Sequence, residues 1–318
     1  MKAALYRTAG PAADVLTVED IERPEPGAGE VLVRVHASGV NPTDWKTRAG
    51  ATVRPIDGFQ IPHQDGAGAI EAVGEGVDPA RVGERVWLWL AAFGRRWGTA
   101  AEWTVVPAGR AMPLHGSFEL GASLGVPAMT ARLCLGPLTD QTVLIAGGAG
   151  AVGHFAINIA KRAGLRVIST VSSPEKAALA EHAGADLVVN YRLAEAAEQI
   201  RAFAPDGVDR VVEVALGANL ELDLAVAHVG TTIVTYAAEA QNPALPVRAC
   251  MSANVTLQFL LLYGVPANLL DQAAADVSAA LADGALTELP VHRFGLDEIV
   301  AAHHAAEGGV TGKVLVIP

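Results

Sequence analysis

Hydrophobic and polar positions follow two different patterns along the chain. Up to about Leu120, short apolar runs are separated by Gly and Pro, which predicts an all-β lobe with little helix. Beyond Leu120, apolar runs alternate with stretches rich in Ala, Glu and Lys, which predicts a doubly wound parallel sheet. The predicted strands are Ala3–Arg7, Glu30–Ala37, Ala69–Val73, Arg85–Leu90 and Glu102–Pro107, then Val143–Ala146, Arg166–Val171, Leu187–Val189, Val211–Val214, Thr232–Tyr236 and Val255–Leu262.

The C-terminal tail continues with elements of both kinds. We predict a helix over Leu269–Ala282, a strand near Leu289–Phe294, a second helix from Leu296 and a final strand over Lys313–Ile317. Helices are also predicted within the alternating part, at Pro174–His182 and Leu193–Phe203. The fold class is therefore α/β.

The junction of the first apolar run of the alternating part and its helix has the shape of a nucleotide-phosphate cradle. Residues 142–153 read TVLIAGGAGAVG, in which Gly148, Gly150 and Gly153 form G-x-G-x-x-G between a strand and an amphipathic helix. The N–H groups at the start of such a helix bind phosphates. An ordinary strand-to-helix turn that binds nothing is the alternative interpretation.

The end of the next strand bears on the choice of cofactor. NAD enzymes usually carry Asp or Glu there to bind the ribose 2′-hydroxyl, but this strand ends in Ser172 and Ser173. Ser173 is a suitable N-cap with Pro174 at the first helical position, which places Lys176 in the first turn. A cation there opposes the helix dipole unless a phosphate binds, so we predict NADPH. The alternative is a solvated surface lysine.

Composition and charge narrow the class of protein. The chain has 318 residues, which favours two domains, and two cysteines, too few for a disulfide framework or a four-thiolate zinc site. A formal net charge of −11 argues against nucleic-acid or anionic-membrane partners. Without a signal-like or membrane-spanning apolar run, we expect a cytoplasmic protein.

Several ordered motifs give the chain a resemblance to a known family over nearly its full length. The motifs besides the glycine turn are GAGEVLVRVHASGVNPTDW (27–45), HQDGAGAIEAVGEGV (63–77), GERVW (83–87), GVPAMTA (125–131), GADLVVNYR (184–192) and GKVLVIP (312–318). With these motifs in this order, the chain resembles the medium-chain dehydrogenase/reductase superfamily, specifically its zinc-free quinone oxidoreductase (zeta-crystallin-like) branch.

This resemblance implies a domain organisation and an assembly. A GroES-like β-rich catalytic domain is expected over 1–122 and 265–318, and a Rossmann NADP-binding domain over 123–264. The resemblance places the active-site cleft where the two domains meet. It also suggests a homodimer, in which edge strands near Val255–Leu262 pair across the two-fold axis.

A departure from the zinc alcohol dehydrogenases bears on the mechanism. Those enzymes bind their catalytic metal with a Cys and a His at places where this chain has Asn41 and Gln64. His63 is better explained as a hydrogen-bonded loop histidine than as a shifted ligand. His303 and His304 are helix neighbours that point about 100° apart, so we do not expect them to share a metal. We expect no metal.

The resemblance also points to substrate and catalytic residues. It places Asn41 and Asp44 at the nicotinamide end: Asn41 orients substrate or nicotinamide, or forms an Asx turn before Pro42. Asp44 is either a proton relay or a buried carboxylate that fixes its loop. Gln64 either donates to a substrate oxygen or is structural. Trp45 and Tyr263 either line an apolar pocket or belong to the core.

The remaining candidate residues concern the cofactor. By resemblance, Thr130 reaches the cofactor, and Tyr191, with Arg192 as a helper, lies near the adenosine phosphate unless it is only an aromatic at a strand end. The family often has Asp-Ser where this chain has Val214 and Ala215, so a cofactor contact of that loop is in doubt. The predicted cofactor-binding set is completed by Gly147, Gly148, Gly150, Ala151, Val152, Gly153, Ser172, Ser173, Lys176, Tyr236, Ala237 and Leu260.

The predicted function follows from a cleft without a metal. Such a cleft cannot strongly polarise a simple ketone, so acceptors that take hydride readily fit it better. We predict an NADPH-dependent, zinc-independent quinone reductase that acts by direct hydride transfer on a small-molecule substrate. An enoyl or alkenal reductase acting on α,β-unsaturated carbonyls is the alternative. A non-catalytic NADPH-binding structural protein is the alternative from another class.

Overall fold

Two units make up the chain in a computed structural model that describes residues 1–51, 55–139, 141–238 and 241–318. Unit 1 comprises Met1–Val126 and Glu288–Pro318, and unit 2 comprises Pro127–Thr287. The predicted domain boundaries differ from this division mainly in the segment 265–287, which lies in unit 2 instead of with the N-terminal part.

The helices and strands are numbered in chain order over the described residues. The strands are β1 (Lys2–Leu5), β2 (Thr17–Asp20), β3 (Glu30–Val40), β4 (Asp65–Val73), β5 (Arg85–Leu88), β6 (Trp103–Pro107), β7 (Ala111–Pro113), β8 (Thr142–Ala146), β9 (Arg166–Val171), β10 (Leu187–Asn190), β11 (Val208–Glu213), β12 (Ala227–Thr235), β13 (Thr256–Phe259), β14 (Val291–Gly295) and β15 (Lys313–Ile317). The helices are α1 (Ala12–Val15), α2 (Pro42–Arg48), α3 (Phe118–Gly121), α4 (Gly125–Leu135), α5 (Ala151–Arg162), α6 (Pro174–His182), α7 (Ala196–Phe203), α8 (Leu216–Val226), α9 (Val247–Ser252), α10 (Ala267–Ala282) and α11 (Ile299–Glu307).

Unit 1 is built on a mostly antiparallel sheet. Its described strands run in the order β14-β15-β3-β4-β5-β7, and β6 also pairs with β3. The C-terminal strand β15 pairs antiparallel with β3, where Val314 lies opposite Val40. Apolar side chains that alternate along these strands, such as Val31, Val33 and Ile70, fill the interior. The sheet therefore combines strands from residues 30–113 with two strands from the C-terminal part of the chain. The prediction of a β-rich lobe is confirmed.

Unit 2 contains a parallel sheet in the order β10-β9-β8-β11-β12-β13. Every neighbouring pair in it is parallel. This order has two halves that diverge between β8 and β11, which is the dinucleotide-binding arrangement. Its interior is aliphatic, with Leu144, Ile168, Val211 and Ile233 buried. The prediction of a doubly wound parallel sheet is confirmed.

Helix α10 lies in unit 2 because of specific contacts to that unit. Arg132 Nε donates to Asp276 Oδ2 at 2.6 Å, and Arg162 Nε donates to Asp283 Oδ2 at 2.8 Å. At the end of the connection that follows α10, Thr287 N donates to Asn158 Oδ1 at 3.0 Å. The periodicity of Leu269–Ala282 predicts the helix but does not say which core its apolar face joins.

The local predictions agree with the structure to different extents. The predicted bounds of β9, α6 and β15 coincide with the observed ones. Helix α2 interrupts the part of the chain predicted to have little helix, and the predicted strand Val255–Leu262 shortens to Thr256–Phe259. Within the described ranges, no helix combines the length and apolar character needed to cross a membrane.

Candidate active site

Three positions of the turn between β8 and α5, at Gly147, Gly148 and Gly153, require glycine. Gly147 has a φ of +70°, a conformation that favours glycine. A Cβ on Gly148 would lie 2.0 Å from Ser169 Oγ, and a Cβ on Gly153 would lie 2.4 Å from the Gly147 carbonyl oxygen. Each of the three glycines is therefore required by a different steric constraint.

The same turn presents the start of α5 to a ligand. Gly150 is the N-cap, and Ala151 and Val152 begin the first turn, in which helix N–H groups have no partner within the helix. At Gly150 the nearest atom to an added Cβ is the Gly147 carbonyl oxygen at 3.3 Å, so the space beyond this residue is open to a ligand. These residues fit the pyrophosphate of a dinucleotide, since they combine close backbone approach with the positive end of a helix.

The end of β9 has the cap predicted from the sequence. Ser173 is the N-cap of α6 and its Oγ accepts a hydrogen bond from Lys176 N at 3.4 Å. Pro174 occupies the first helical position, so Lys176 lies in the first turn. Two serine hydroxyls, of Ser172 and Ser173, and one ammonium group therefore belong to the end of this strand and the turn that follows.

The predicted adenosine-end residues lie beside this segment. Tyr191 follows β10, and its N–H donates to Val171 O at 3.1 Å, which fixes it next to Ser172. Tyr191 is exposed, and the N–H of Arg192 donates to Asn190 Oδ1 at 3.0 Å. The structure thus brings Tyr191 and Arg192 to the strand end that carries Lys176.

The other predicted cofactor residues of unit 2 are spread along the sheet. Tyr236 and Ala237 follow β12, and Leu260 follows β13, where its N–H donates to Thr235 O at 2.9 Å. All three lie at the carboxyl ends of parallel strands, the edge at which α/β sheets bind ligands. Thr130 is different, because it is buried within α4.

In unit 1, helix α2 follows Asn41, whose backbone N–H is bound by the Asp44 carboxyl group. It is the N-cap, and its backbone N–H donates to Asp44 Oδ2 at 2.7 Å. The N–H of Asp44 donates to the backbone carbonyl of Asn41 at 3.0 Å. Asp44 therefore closes the loop by a hydrogen bond from the Asn41 N–H.

The Asn41 amide joins a buried polar cluster that the sequence did not predict. Its Nδ2 donates to Asp65 Oδ2 at 2.7 Å, and its Oδ1 accepts from Lys313 Nζ at 2.6 Å. Lys313 Nζ also lies 3.5 Å from Asp65 Oδ2, and Val126 N donates to Asp65 Oδ1 at 2.8 Å. Asn41, Asp44, Asp65 and Lys313 are all buried. The cluster joins residues from α2, β4 and β15.

Burial shifts the proton affinities in this cluster. The pKa of the Asp44 carboxyl rises to about 8, first because burial desolvates the carboxylate and second because Asp65 lies close. Burial also raises the pKa of Asp65, against the opposing attraction of Lys313. Burial lowers the pKa of the Lys313 ammonium, and Asp65 opposes that change. With a pKa of about 8, the Asp44 carboxyl is mostly in its acid form at neutral pH.

A cavity of about 250 Å³ lies beside the cluster within unit 1. Its polar side is formed by Asp44, His63 and Gln64, and Pro55 and Ile56 contribute apolar surface. Asp44 Oδ1 and Gln64 Oε1 are buried and have no hydrogen-bond partner among the described residues. The cavity therefore lies against two polar side chains, each of which has one buried oxygen without a partner among the described residues.

Two predicted substrate residues are not among the described residues that line this cavity. Trp45 lies on α2 with its indole N–H buried, and Lys46 Nζ lies 5.6 Å from the centre of its ring. Tyr263 belongs to unit 2, in the short turn after β13. Their assignment to the substrate site stays a prediction.

A second buried network fixes the protonation of His63. Thr99 Oγ1 donates to the Asp65 carbonyl at 2.5 Å, so Thr99 must accept from Ser38 Oγ at 2.7 Å. Ser38 must then accept from His63 Nδ1 at 2.8 Å. His63 Nε2 is left as an acceptor and takes the proton of His303 Nε2 at 3.1 Å. The direction of every hydrogen bond in this network follows from the Asp65 backbone carbonyl, which can only accept.

This network removes His63 as a proton source for the cavity. Its Nε2 already accepts a hydrogen bond from His303, and burial lowers the pKa of His63 well below its usual value. Burial likewise lowers the pKa of His303 to about 3. His63 is thus a hydrogen-bonded loop histidine, as preferred from the sequence. Among the described residues, no group of three or more His, Cys, Asp or Glu side chains is arranged to hold a metal ion.

Two protein families match separate parts of the chain. Residues 27–116 match the family described as alcohol dehydrogenase GroES-like domain, and residues 151–279 match the family described as zinc-binding dehydrogenase. The first range lies in unit 1 and the second in unit 2.

Known proteins extend the similarity to the whole length. The crystal structure of the quinone oxidoreductase from Thermus thermophilus, also solved in complex with NADPH, is 31% identical with a TM-score of 0.81, and each chain covers 100% of the other. The chain belongs to the quinone oxidoreductase branch of the medium-chain dehydrogenase/reductase superfamily. The Rattus norvegicus quinone oxidoreductase is 28% identical over 323 residues, covering 98% of this chain and 96% of the relative. Bos taurus prostaglandin reductase-3 is 36% identical over 226 residues, covering 68% of this chain and 57% of the relative. The predictions of the family and of an oxidoreductase are confirmed.

The residues at the family's metal position do not fit zinc. Both polar atoms of the Asn41 amide are engaged, and the Lys313 ammonium lies 2.6 Å from its oxygen. A divalent cation at this place would be repelled by the ammonium and would find an amide instead of a thiolate. We therefore derive no step through a metal at this site.

Proposed function

We propose that this chain is an NADPH-dependent, zinc-free reductase of quinones that works by direct hydride transfer. The observation that carries the proposal is the glycine cradle at the start of α5, together with the serine and lysine residues that follow β9. When bound, the reduced nicotinamide supplies the hydride. The chain's own residues bind the cofactor, bind the acceptor and deliver a proton.

The preference for the phosphorylated cofactor rests on Lys176 and its surroundings. A 2′-phosphate beside Ser172 and Ser173 would accept hydroxyl and ammonium hydrogen bonds, which are strong when one partner is charged. No acidic side chain ends β9 to bind a ribose hydroxyl instead. We propose that Tyr191 and Arg192 contact the same end of the cofactor.

The acceptor site we propose is the cavity of unit 1. The amide NH₂ of Gln64 and the acid form of Asp44 would donate hydrogen bonds to an acceptor oxygen. Pro55 and Ile56 offer apolar surface to a ring. Asn41 acts there as a positioning residue, since both polar atoms of its amide are bound within the cluster. Because no metal polarises the substrate in the proposed reaction, the acceptor must already be electron-poor, as quinones are.

A second candidate function is the reduction of an α,β-unsaturated carbonyl. It is favoured by the similarity to a relative named for a prostaglandin instead of a quinone. An enone reduced at its β-carbon leaves an enolate oxygen, which needs a hydrogen-bond donor such as the cavity provides.

We further propose a cytoplasmic homodimer. Both cysteines are free thiols, which suits a reducing compartment. β13 is the outer strand of its sheet, and Phe259 on β13 and the nearby Leu261 are largely exposed, with 70% and 67% of their surface accessible. Edge strands with exposed apolar side chains favour pairing with a second copy.

Rapid-mixing measurement of NADPH oxidation tests the proposed reaction. We expect turnover with 1,4-benzoquinone, weaker turnover with 2-alkenals, and a lower KM for NADPH than for NADH. Faster reduction of alkenals would favour the second candidate. Quenching of tryptophan fluorescence by NADPH, without oxidation by any acceptor of the panel, would replace the enzyme by a cofactor-binding protein.

A further inference from the structure

The cavity of unit 1 contains, among its described lining, a side chain suited to donate a proton. Asp44 Oδ2 accepts the N–H of Asn41, whereas Asp44 Oδ1 is buried without a hydrogen-bond partner among the described residues. His63 lines the same cavity, but its Nε2 is occupied by His303. Gln64 has no ionisable proton. Tyr6 is the other titratable residue of the lining.

The two carboxyl groups of the cluster have unequal surroundings. Asp65 receives hydrogen bonds from Val126 N and from Asn41 Nδ2, and it lies 3.5 Å from the Lys313 ammonium. Three positive or N–H groups therefore stabilise a negative charge on Asp65. Asp44 accepts the backbone N–H groups of Asn41 and Gln64 but has no ion pair with a described cation, and of the two acids we infer that it is the one that retains the proton.

We propose that the Asp44 carboxyl protonates the reduced acceptor, and that the buried negative charge of Asp65 helps to keep Asp44 in its acid form. This inference rests on the proposed function. Asp44 would be a catalytic residue, because its side chain belongs to the lining of the proposed acceptor cavity. Asp65 would be a positioning residue, because it acts on the acceptor through Asp44.

The proposed step balances for a quinone. The C4–H bond of NADPH breaks, its electron pair passes to the quinone as hydride, and the nicotinamide is oxidised. The quinone becomes a hydroquinone monoanion. The O–H bond of Asp44 then breaks and its proton forms the second O–H bond of the hydroquinone. Asp44 is left as a carboxylate and regains a proton from water after the product leaves.

The pH dependence follows from the groups that face Asp44. These are Asp65 on β4, Lys313 on β15 and the neutral His63 in the cavity wall. The active form is the acid, whose pKa is raised to about 8. We expect kcat to be retained below this pH and lost as the pH rises through it.

Asp44→Asn tests the donor directly. The amide resembles the neutral acid in shape and polarity but cannot give up a proton. We expect kcat with 1,4-benzoquinone to fall roughly 100-fold or more, with little change in KM. We also expect the decrease of kcat at alkaline pH, called here the alkaline limb, to disappear. The matched control is Asp20→Asn, since Asp20 is exposed on β2 and should leave kcat and its pH profile unchanged.

Asp65→Asn tests the positioning role. Removing the neighbouring negative charge while Lys313 remains should lower the pKa of Asp44, so the alkaline limb of kcat should move to lower pH. A merely structural role would change the melting temperature without moving this limb. Circular dichroism and NADPH quenching of tryptophan fluorescence verify that each variant is folded.

The outcomes separate the inference from the proposed function. If the unmodified protein oxidises NADPH with no quinone or enone, the proposed function fails. If it turns over and folded Asp44→Asn matches it in kcat and pH profile, only the inference fails. Loss of turnover in Tyr6→Phe but not in Asp44→Asn would assign the proton to Tyr6 and overturn the role of Asp44. An unmoved alkaline limb in folded Asp65→Asn would overturn the positioning role.

Discussion

The burial of individual polar residues determines their role in the proposed function. Lys176 is kept partly accessible by its place in the first turn of α6, so it can meet a ligand. Lys313 is buried and bound to Asn41 and Asp65, so its charge is used inside the protein. Two lysines of equal chemistry therefore have different roles because their environments differ.

Lys176→Ala tests the choice of cofactor. Losing one charge-assisted hydrogen bond to the 2′-phosphate should raise the KM for NADPH roughly tenfold or more. The KM for NADH should stay nearly constant, because NADH lacks this phosphate. Steady-state kinetics with both cofactors measures the effect. Lys2→Ala, at the exposed first position of β1, is the control. Equal changes for NADPH and NADH in Lys176→Ala would contradict the assignment.

Asp65 and Lys313 are two residues of the site that the sequence did not predict. Both belong to motifs used for the family resemblance, but nothing in those motifs says that the two side chains meet. One signal was present: Lys313 begins an otherwise apolar run, and a lysine beside a buried strand must find a partner. The partner lies far away in the sequence, so it cannot be found from local spacing.

At the scale of elements, the glycine turn is the best-predicted feature. Its strand, turn and helix follow from local spacing, and β8 and α5 were found where that spacing placed them. The structure adds that the strained backbone lies at Gly147, while Gly148 and Gly153 are required by close neighbours. Such neighbours come from β9 and from the turn itself, so packing had to reveal them.

Gly148→Ala tests the steric constraint on this turn. The added Cβ would meet Ser169 Oγ, and forcing a side chain into a packed site typically costs about 1–3 kcal/mol. We expect a lower melting temperature and weaker NADPH binding, measured by differential scanning calorimetry and by fluorescence quenching. Gly109→Ala, where an added Cβ meets no atom within 4 Å, is the control. Unchanged binding and stability in Gly148→Ala would show that the turn does not need glycine there.

The unit to which helix α10 belongs could not be predicted from the periodicity of the helix. Its periodicity predicted the helix with an error of two residues at the start, yet the resemblance placed it with the catalytic domain. Salt bridges from Asp276 and Asp283 bind it to unit 2. Both partners are arginines of unit 2 helices.

At the scale of the whole molecule, the parallel sheet leaves β13 with one side unpaired among the described strands. Phe259 lies on this strand and Leu261 follows it, while Met251 lies on the helix before it; all three are exposed. A second copy would cover apolar surface and pair the free backbone groups in one step. The proposed homodimer follows from this combination.

Phe259→Lys tests the assembly. A lysine at position 259 should repel the same lysine of a second copy across the interface. In the monomer this lysine stays exposed to water. We expect light scattering coupled to size-exclusion chromatography to report a dimer for the unmodified protein and a monomer for the variant. Val82→Lys, on an exposed site of unit 1, should leave the mass unchanged. A monomeric unmodified protein would contradict the proposal.

Features that depend on neighbours within a few residues could be predicted without a structure. These are the strand and helix periods, the glycine turn, the Ser173 cap and the absence of thiolates where zinc enzymes have them. The unit that holds α10, and the buried cluster of Asn41, Asp65 and Lys313 beside Asp44, were found only in the folded chain. Local periodicity records which face of an element is apolar, whereas proton affinity depends on charges and burial contributed by strands and helices distant in the chain.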